Sequence, residues 1–185
     1  MPGIKPCCAS EATLQARDYR RLFWIDTVLA LILDQVVKVW ARHALDNRAA
    51  LHGLPFPRFF ELTLTYNEGI AFGMFQGHGV LLAPVAILMS GGAIWYSMRH
   101  PKDPALAHVA MGLLASGALG NLYDRLVFGK VTDMFYFRAI NFPVFNIADS
   151  CITVAAVLLI YLWSVEAMTK PKTKPTPPSS APENA

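Results

Sequence analysis

The run ALAHVAMGLLASGALGNLYDR, Ala105–Arg125, holds no Asp, Glu, Lys or Arg until its last two residues. A helix rises about 1.5 Å per residue, so the roughly 19 residues from Ala105 to Tyr123 reach across a hydrocarbon layer about 30 Å thick. Gly112, Ser116, Gly117 and Gly120 recur along it at intervals that let a neighbouring helix come close. Three more runs of this kind flank it, at Leu22–Trp40, Val80–Met98 and Ile147–Val165. Composition agrees: 54% of the 185 residues are apolar, 16% are charged, and the mean hydropathy is +0.36. These values predict a mainly α membrane protein with four transmembrane helices spanning 22–165.

The first run is longer than a secretory h-region, and no small-residue cleavage site follows in DNRAALHG, so it reads as a retained anchor. Lys5, Arg17, Arg20, Arg21, Arg99, Lys102, Lys170, Lys172 and Lys174 fall on one side of the four runs. Arg42, Arg48, Arg58, Arg125, Lys130 and Arg138 fall on the other, in longer loops. The excess places both termini, 1–21 and 166–185, in the cytoplasm. From Thr169 the tail TKPKTKPTPPSSAPENA has five prolines and little apolar surface, and reads as disordered.

The net charge of +3 is spread without a stripe, so nucleic acid is not implied. Cys7, Cys8 and Cys151 are odd in number and suggest no disulfide framework, and five scattered histidines suggest no zinc site. Between the first two runs, Phe60, Leu62, Leu64 and Tyr66 alternate with Glu61, Thr63 and Thr65, and Asn67-Glu68-Gly69 suits a turn. That pattern predicts a small extracytoplasmic β-sheet within about 42–79. No internal repeat is evident.

Ionisable groups inside apolar runs call for a partner or a task. Asp34 and Lys38 are four apart with the acid first, the favourable order for a pair on one helical face. Asp26 lies near the inner end, within reach of interfacial water. Asn121, Asp124 and Arg125 cluster at the outer end of the third run. Asp124 opposes the macrodipole there, so it needs a cationic or amide partner, with Arg125 the nearest in sequence. Asn146 is placed to cap the fourth helix, with Asp149 in its first turn, where negative charge is favoured. Asp133, among Val131, Thr132, Met134 and Phe135, has no such support. If the chain between Asp133 and Asp149 folds back, the two carboxylates share a cleft in which one holds a proton near neutral pH. The ionised member then takes a proton from water while the protonated one binds a scissile carbonyl, with Asp149 the more ionised of the two.

In order along the chain stand DQVVK (Asp34–Lys38), YNEGIAFG (Tyr66–Gly73), GALGNLYDR (Gly117–Arg125), VTDMF (Val131–Phe135) and FNIADSCI (Phe145–Ile152). Together they resemble the bacterial lipoprotein signal peptidases, signal peptidase II. The resemblance implies an aspartyl peptidase of the inner membrane that cuts prolipoproteins before a diacylglyceryl-modified cysteine. It implies Asp133 and Asp149 as the catalytic pair at the outer leaflet, with Asn67, Asn121, Asp124, Arg125, Asn146, Asp34, Lys38 and Gly117 binding substrate or supporting the site. It further implies a short surface helix within about 124–146, no cofactor and no metal. The partners it implies are lipid-modified prolipoproteins, membrane lipids and globomycin-type cyclic peptide inhibitors, with the chain acting as a monomer. Thr132 departs from the valine that often precedes the first catalytic aspartate. Competing readings are a proton-coupled transporter using Asp34, Lys38, Asp124 and Asp149, a serine–lysine peptidase using Lys38, and a divalent-metal site at Asp124, Asp133 and Asp149.

Overall fold

A computed structural model describes residues 18–45, 55–56, 59–69 and 79–169. The expectations for the N-terminal segment with Cys7 and Cys8, and for the proline-rich tail beyond Thr169, lie outside the described residues. Four long helices occupy the four apolar runs: α1 Arg20–Leu45, α2 Ala83–Arg99, α3 Ala105–Phe128 and α4 Ile147–Thr169. Their ends follow local chemistry. Asp18 accepts from the Arg20 N–H at 3.0 Å before α1. A 3-10 turn, Gly79–Leu82, and Pro84 open α2. Pro104 precedes α3, and Gly129 ends it at φ +74°, a left-handed value that only glycine takes without strain.

The helix α3 is the hub, with α1, α2 and α4 all packed on it. Its glycines permit this. A Cβ at Gly112 would stand 3.0 Å from the Phe23 carbonyl oxygen, and one at Gly117 would stand 2.4 Å from the Ala148 carbonyl oxygen. A Cβ at Gly120 would meet the Asp34 carboxylate at 2.5 Å. The interior is accordingly lined by small groups such as Ala83, Ala86, Ala93, Ala115 and Ala118, while large side chains including Leu88 and Trp163 face outward. An apolar exterior around a small-residue, polar interior suits lipid as the surrounding solvent. Among the described helices, α3 and α4 are long and apolar enough to cross a membrane. The helix α2 has only 17 residues, and α1 carries Asp26, Asp34, Lys38 and Arg42 within its length.

Three antiparallel strands, β1 Pro55–Phe56, β2 Phe60–Asn67 and β3 Val131–Tyr136, form one sheet in the order β1-β2-β3. Leu62 pairs with Phe135 and Thr65 with Asp133, so β2 holds one extra residue between them, a bulge. The alternating segment is therefore a strand as expected, but the sheet differs from the expectation in two respects. First, α1 continues through Leu45, so residues 42–45 are helix. Second, the segment expected to carry a surface helix supplies the third strand, and beyond the end of α3 its helix is one exposed 3-10 turn, Arg138–Ile140. The β-branched and aromatic run VTDMFY finds a free β2 edge to pair with, and Phe135 then bridges to Phe145.

Candidate active site

The start of α4 is held by a reciprocal cap. The Asn146 Oδ1 accepts from the Asp149 N–H at 2.9 Å, and the Asp149 Oδ2 accepts from the Asn146 N–H at 3.2 Å. This is the capping-box arrangement with Asn and Asp as its two members. It leaves the Asn146 Nδ2 free to point away from the helix, where it donates to Asp133 Oδ1 at 2.6 Å and to Asn121 Oδ1 at 3.1 Å. Asn121, from α3, in turn donates through its Nδ2 to Asp149 Oδ1 at 2.8 Å. Two asparagines thus join Asp133 on β3 to Asp149 on α4.

Asp133 is buried, and burial pushes its carboxyl up to about 7. The negative charge of Asp149 pushes in the same direction, against hydrogen bonds from Asn146 and Asn67 and the more distant Lys38 charge. Asp149 is half-buried. Both carboxylates line a cleft of about 800 Å³, together with Asn67, Asn121 and Arg125. The walls are apolar, with Ala86 and Met89 from α2 and Ile152 from α4 among them. Two carboxyl groups joined through amides beside an apolar trough can activate a water against a bound carbonyl.

Residues 27–165 match the family model described as Signal peptidase (SPase) II. The chain belongs to the signal peptidase II family. A lipoprotein signal peptidase of Gloeobacter violaceus is 40% identical over 83% of this chain and 88% of its own length. One from Desulfitobacterium hafniense is 38% identical over 83% of this chain and 99% of its own. Two solved bacterial membrane enzymes share the fold. One has a TM-score of 0.75 at 25% identity, covering 87% of this chain and 98% of its own, and the other has 0.67 at 27%, covering 80% and 96%. Membership of the signal peptidase II family makes the chain a membrane peptidase.

Behind the cleft lies a closed charge network. Lys38 is wholly buried and reaches Asp34 at 3.0 Å, Asn121 Oδ1 at 2.9 Å and Asp124 at 3.5 Å. The other Asp34 oxygen accepts from the Ala148 N–H at 2.9 Å, tying α1 to the first turn of α4. Asp124 is turned away from the cleft. Its Oδ2 accepts from the Thr132 N–H at 2.9 Å, and Arg42 stands 3.8 Å from its Oδ1. The cationic and amide partners expected for Asp124 are thus Lys38, Arg42 and the Thr132 N–H and not its neighbour Arg125: consecutive helical residues point about 100° apart, and Arg125 faces the cleft instead. The Arg125 Nη1 donates to the Asn121 carbonyl at 3.4 Å, while its Nε is buried with no hydrogen-bond partner among the described residues. Asp26, expected at interfacial water, has its Oδ2 buried beside Gly112.

The structure thus brings Asp133, Asp149, Asn67, Asn121 and Arg125 to one cleft, with Asn146 buried against Asp133, and sets Asp34, Lys38, Asp124 and Gly117 behind it. No group of three or more metal-ligating side chains occurs among the described residues. Sequence reasoning passed over Arg42, counted only as a loop charge, and Gln35, whose Nε2 donates to Asp34 and to the Gly120 carbonyl. For Arg42 the signal was present: Asp34, Lys38 and Arg42 stand at successive four-residue steps on one face of α1.

Proposed function

We propose that this chain removes signal peptides from prolipoproteins by cutting before a diacylglyceryl-modified cysteine, with Asp133 and Asp149 activating the attacking water. The observation that carries the reading is the Asn146–Asn121 bridge, which joins two carboxyls distant in sequence at the rim of one apolar cleft. Asp149, charged at a helix start, takes a proton from water as its oxygen bonds to the scissile carbonyl carbon. Asp133, holding the proton, donates a hydrogen bond to the carbonyl oxygen. The tetrahedral diol then collapses as a proton passes to the amide nitrogen and the C–N bond breaks. A free carboxyl remains on the signal peptide and a free amine on the lipidated cysteine. Asn67 and Arg125, both lining the cleft, orient the peptide backbone.

In this reading α1 to α4 all cross the bacterial inner membrane as one peptidase domain spanning 22–165. Both termini are cytoplasmic, and the sheet and cleft lie at the outer leaflet. The charges of α1 are tolerated because Asp34 and Lys38 neutralise one another inside the bundle. The enzyme works as a monomer, and acyl chains hold the substrate at the depth of the aspartates, so that the search is lateral. Globomycin-type cyclic peptides occupy the same cleft. The test is cleavage of a lipidated prolipoprotein in detergent by wild type, Asp133→Asn and Asp149→Asn. Each variant should lose roughly 10²- to 10⁴-fold in turnover. Near-normal turnover by either folded variant would overturn the assignment, and an unlipidated precursor run alongside measures the contribution of acyl anchoring.

A further inference from the structure

We infer that Arg42 is a positioning residue for Asp133, acting from the far side of the sheet through Thr132. The inference rests on the reading that Asp133 is one of the two reacting carboxyls. Along β3, side chains alternate between two faces. Val131 and Asp133 line the cleft. On the opposite face, Met134 packs with Ala41 and Leu45 of α1, and Thr132 meets Arg42. Both residues on that face are buried.

The edge of β3 away from β2 is paired unevenly. At Met134 and Phe135 it bonds to the Phe145 backbone. At Thr132 the N–H goes instead to a side chain, Asp124 Oδ2, at 2.9 Å. The Thr132 Oγ1 accepts from Arg42 Nη1 at 2.8 Å. The same guanidinium stands 3.8 Å from Asp124 Oδ1, an oxygen with no hydrogen-bond partner among the described residues, and its Cζ lies 4.5 Å over the Phe128 ring. Arg42 therefore holds two groups at once: the hydroxyl next to Asp133 and the carboxylate that fixes the same residue's backbone. A planar fork stacked on a ring suits that double task, and an ammonium does not.

The consequence lies one residue along. Asp133 Oδ1 sits 2.6 Å from Asn146 Nδ2, a short contact that tolerates little sliding of the strand. Three rungs on one face of α1 then serve three parts of the site. Asp34 holds the start of α4, Lys38 holds Asn121, and Arg42 holds the strand that carries Asp133.

The test uses the full chain in detergent with a lipidated precursor, measuring kcat and KM separately. Arg42→Met should lower kcat by roughly 10- to 100-fold, the cost of misplacing a reacting group by about 1 Å, with KM nearly unchanged. Thr132→Val keeps the shape and strand preference, removes the acceptor, and should lower kcat by about 5- to 10-fold, while Thr132→Ser recovers most of that loss. The double variant should be no slower than Arg42→Met alone, because both changes cut one connection. Wild-type kcat in Thr132→Val, single effects that multiply in the double variant, or a loss confined to KM would overturn the inference. Thr132→Val is nearly isosteric and carries the test even where Arg42→Met folds poorly. An active Asp133→Asn sinks the two-aspartate reading itself, whereas an inactive Asp133→Asn beside a fully active Arg42→Met sinks only the role of Arg42.

Discussion

Replacing Gly117 with alanine adds one methyl group where, among the described glycines, a Cβ would come closest to a neighbouring helix. The new Cβ would stand 2.4 Å from the Ala148 carbonyl oxygen and 2.7 Å from Ile152 Cγ1. Ordinary contact begins near 3.4 Å. Neither neighbour yields cheaply, because one is helix backbone and the other belongs to a β-branched side chain. The first turn of α4 must therefore back away from α3 by about 1 Å, and Asp149 is the next residue along. Its 2.8 Å bond from Asn121, which lies on α3, would stretch by a similar amount. A misplacement of about 1 Å costs on the order of 100-fold in rate, or about 2.7 kcal/mol of transition-state stabilisation. Overpacking adds a stability loss of roughly 1–3 kcal/mol. The assay is kcat on a lipidated precursor in detergent, with thermal unfolding recorded in parallel. Gly92→Ala is the control: a Cβ there meets nothing within 4 Å, so rate and stability should hold or improve slightly. Wild-type kcat in Gly117→Ala would refute the reasoning, since α4 would then not depend on this contact to place Asp149.

Asp133→Asn should make the protein more stable while disabling it. The folded carboxyl titrates at about 7 against an ordinary 3.8, so ionising Asp133 opposes folding on the order of 4 kcal/mol above pH 7 and not at all below pH 4. The thermal midpoint of the variant should exceed that of wild type at pH 8 and match it near pH 4; equal midpoints at both would contradict the raised value. Turnover of wild type should fall as pH rises through about 7, when Asp133 loses its proton, and a flat profile to pH 9 would count against a protonated Asp133 in the reaction. Lys38→Met leaves Asp34 and Asp124 buried without their common cation and should destabilise by about 3–5 kcal/mol, read as a large drop in the thermal midpoint. Asn146→Ala removes both the helix cap and the bridge, so stability should fall by about 1 kcal/mol while activity falls far more.

Much of this protein is legible residue by residue. Apolar length located the four helices, and their ends lie within a few residues of the apolar runs because Pro84, Pro104, Gly129 and the Asn146 cap act locally. The alternation at Phe60–Tyr66 marked β2 for the same reason. Asp34 and Lys38 were readable as a pair because four-residue spacing on a helix is itself a contact.

What no local rule could supply is which distant segments meet. VTDMFY was a strand only because β2 offered an edge 64 or more residues earlier, so most of the expected surface segment became β3 and its helix shrank to a 3-10 turn. Asp124 found Lys38, Arg42 and the Thr132 N–H across the bundle and not its neighbour Arg125, because adjacent side chains on a helix diverge. Arg42 looked like a loop charge until α1 proved long enough to carry it to the back of β3. Periodicity and capping act over a few residues, where the chain's own geometry sets the distances. The asparagine bridge between Asp133 and Asp149 depends on three separate elements arriving together, and only close packing on the glycines of α3 brings them within hydrogen-bond reach.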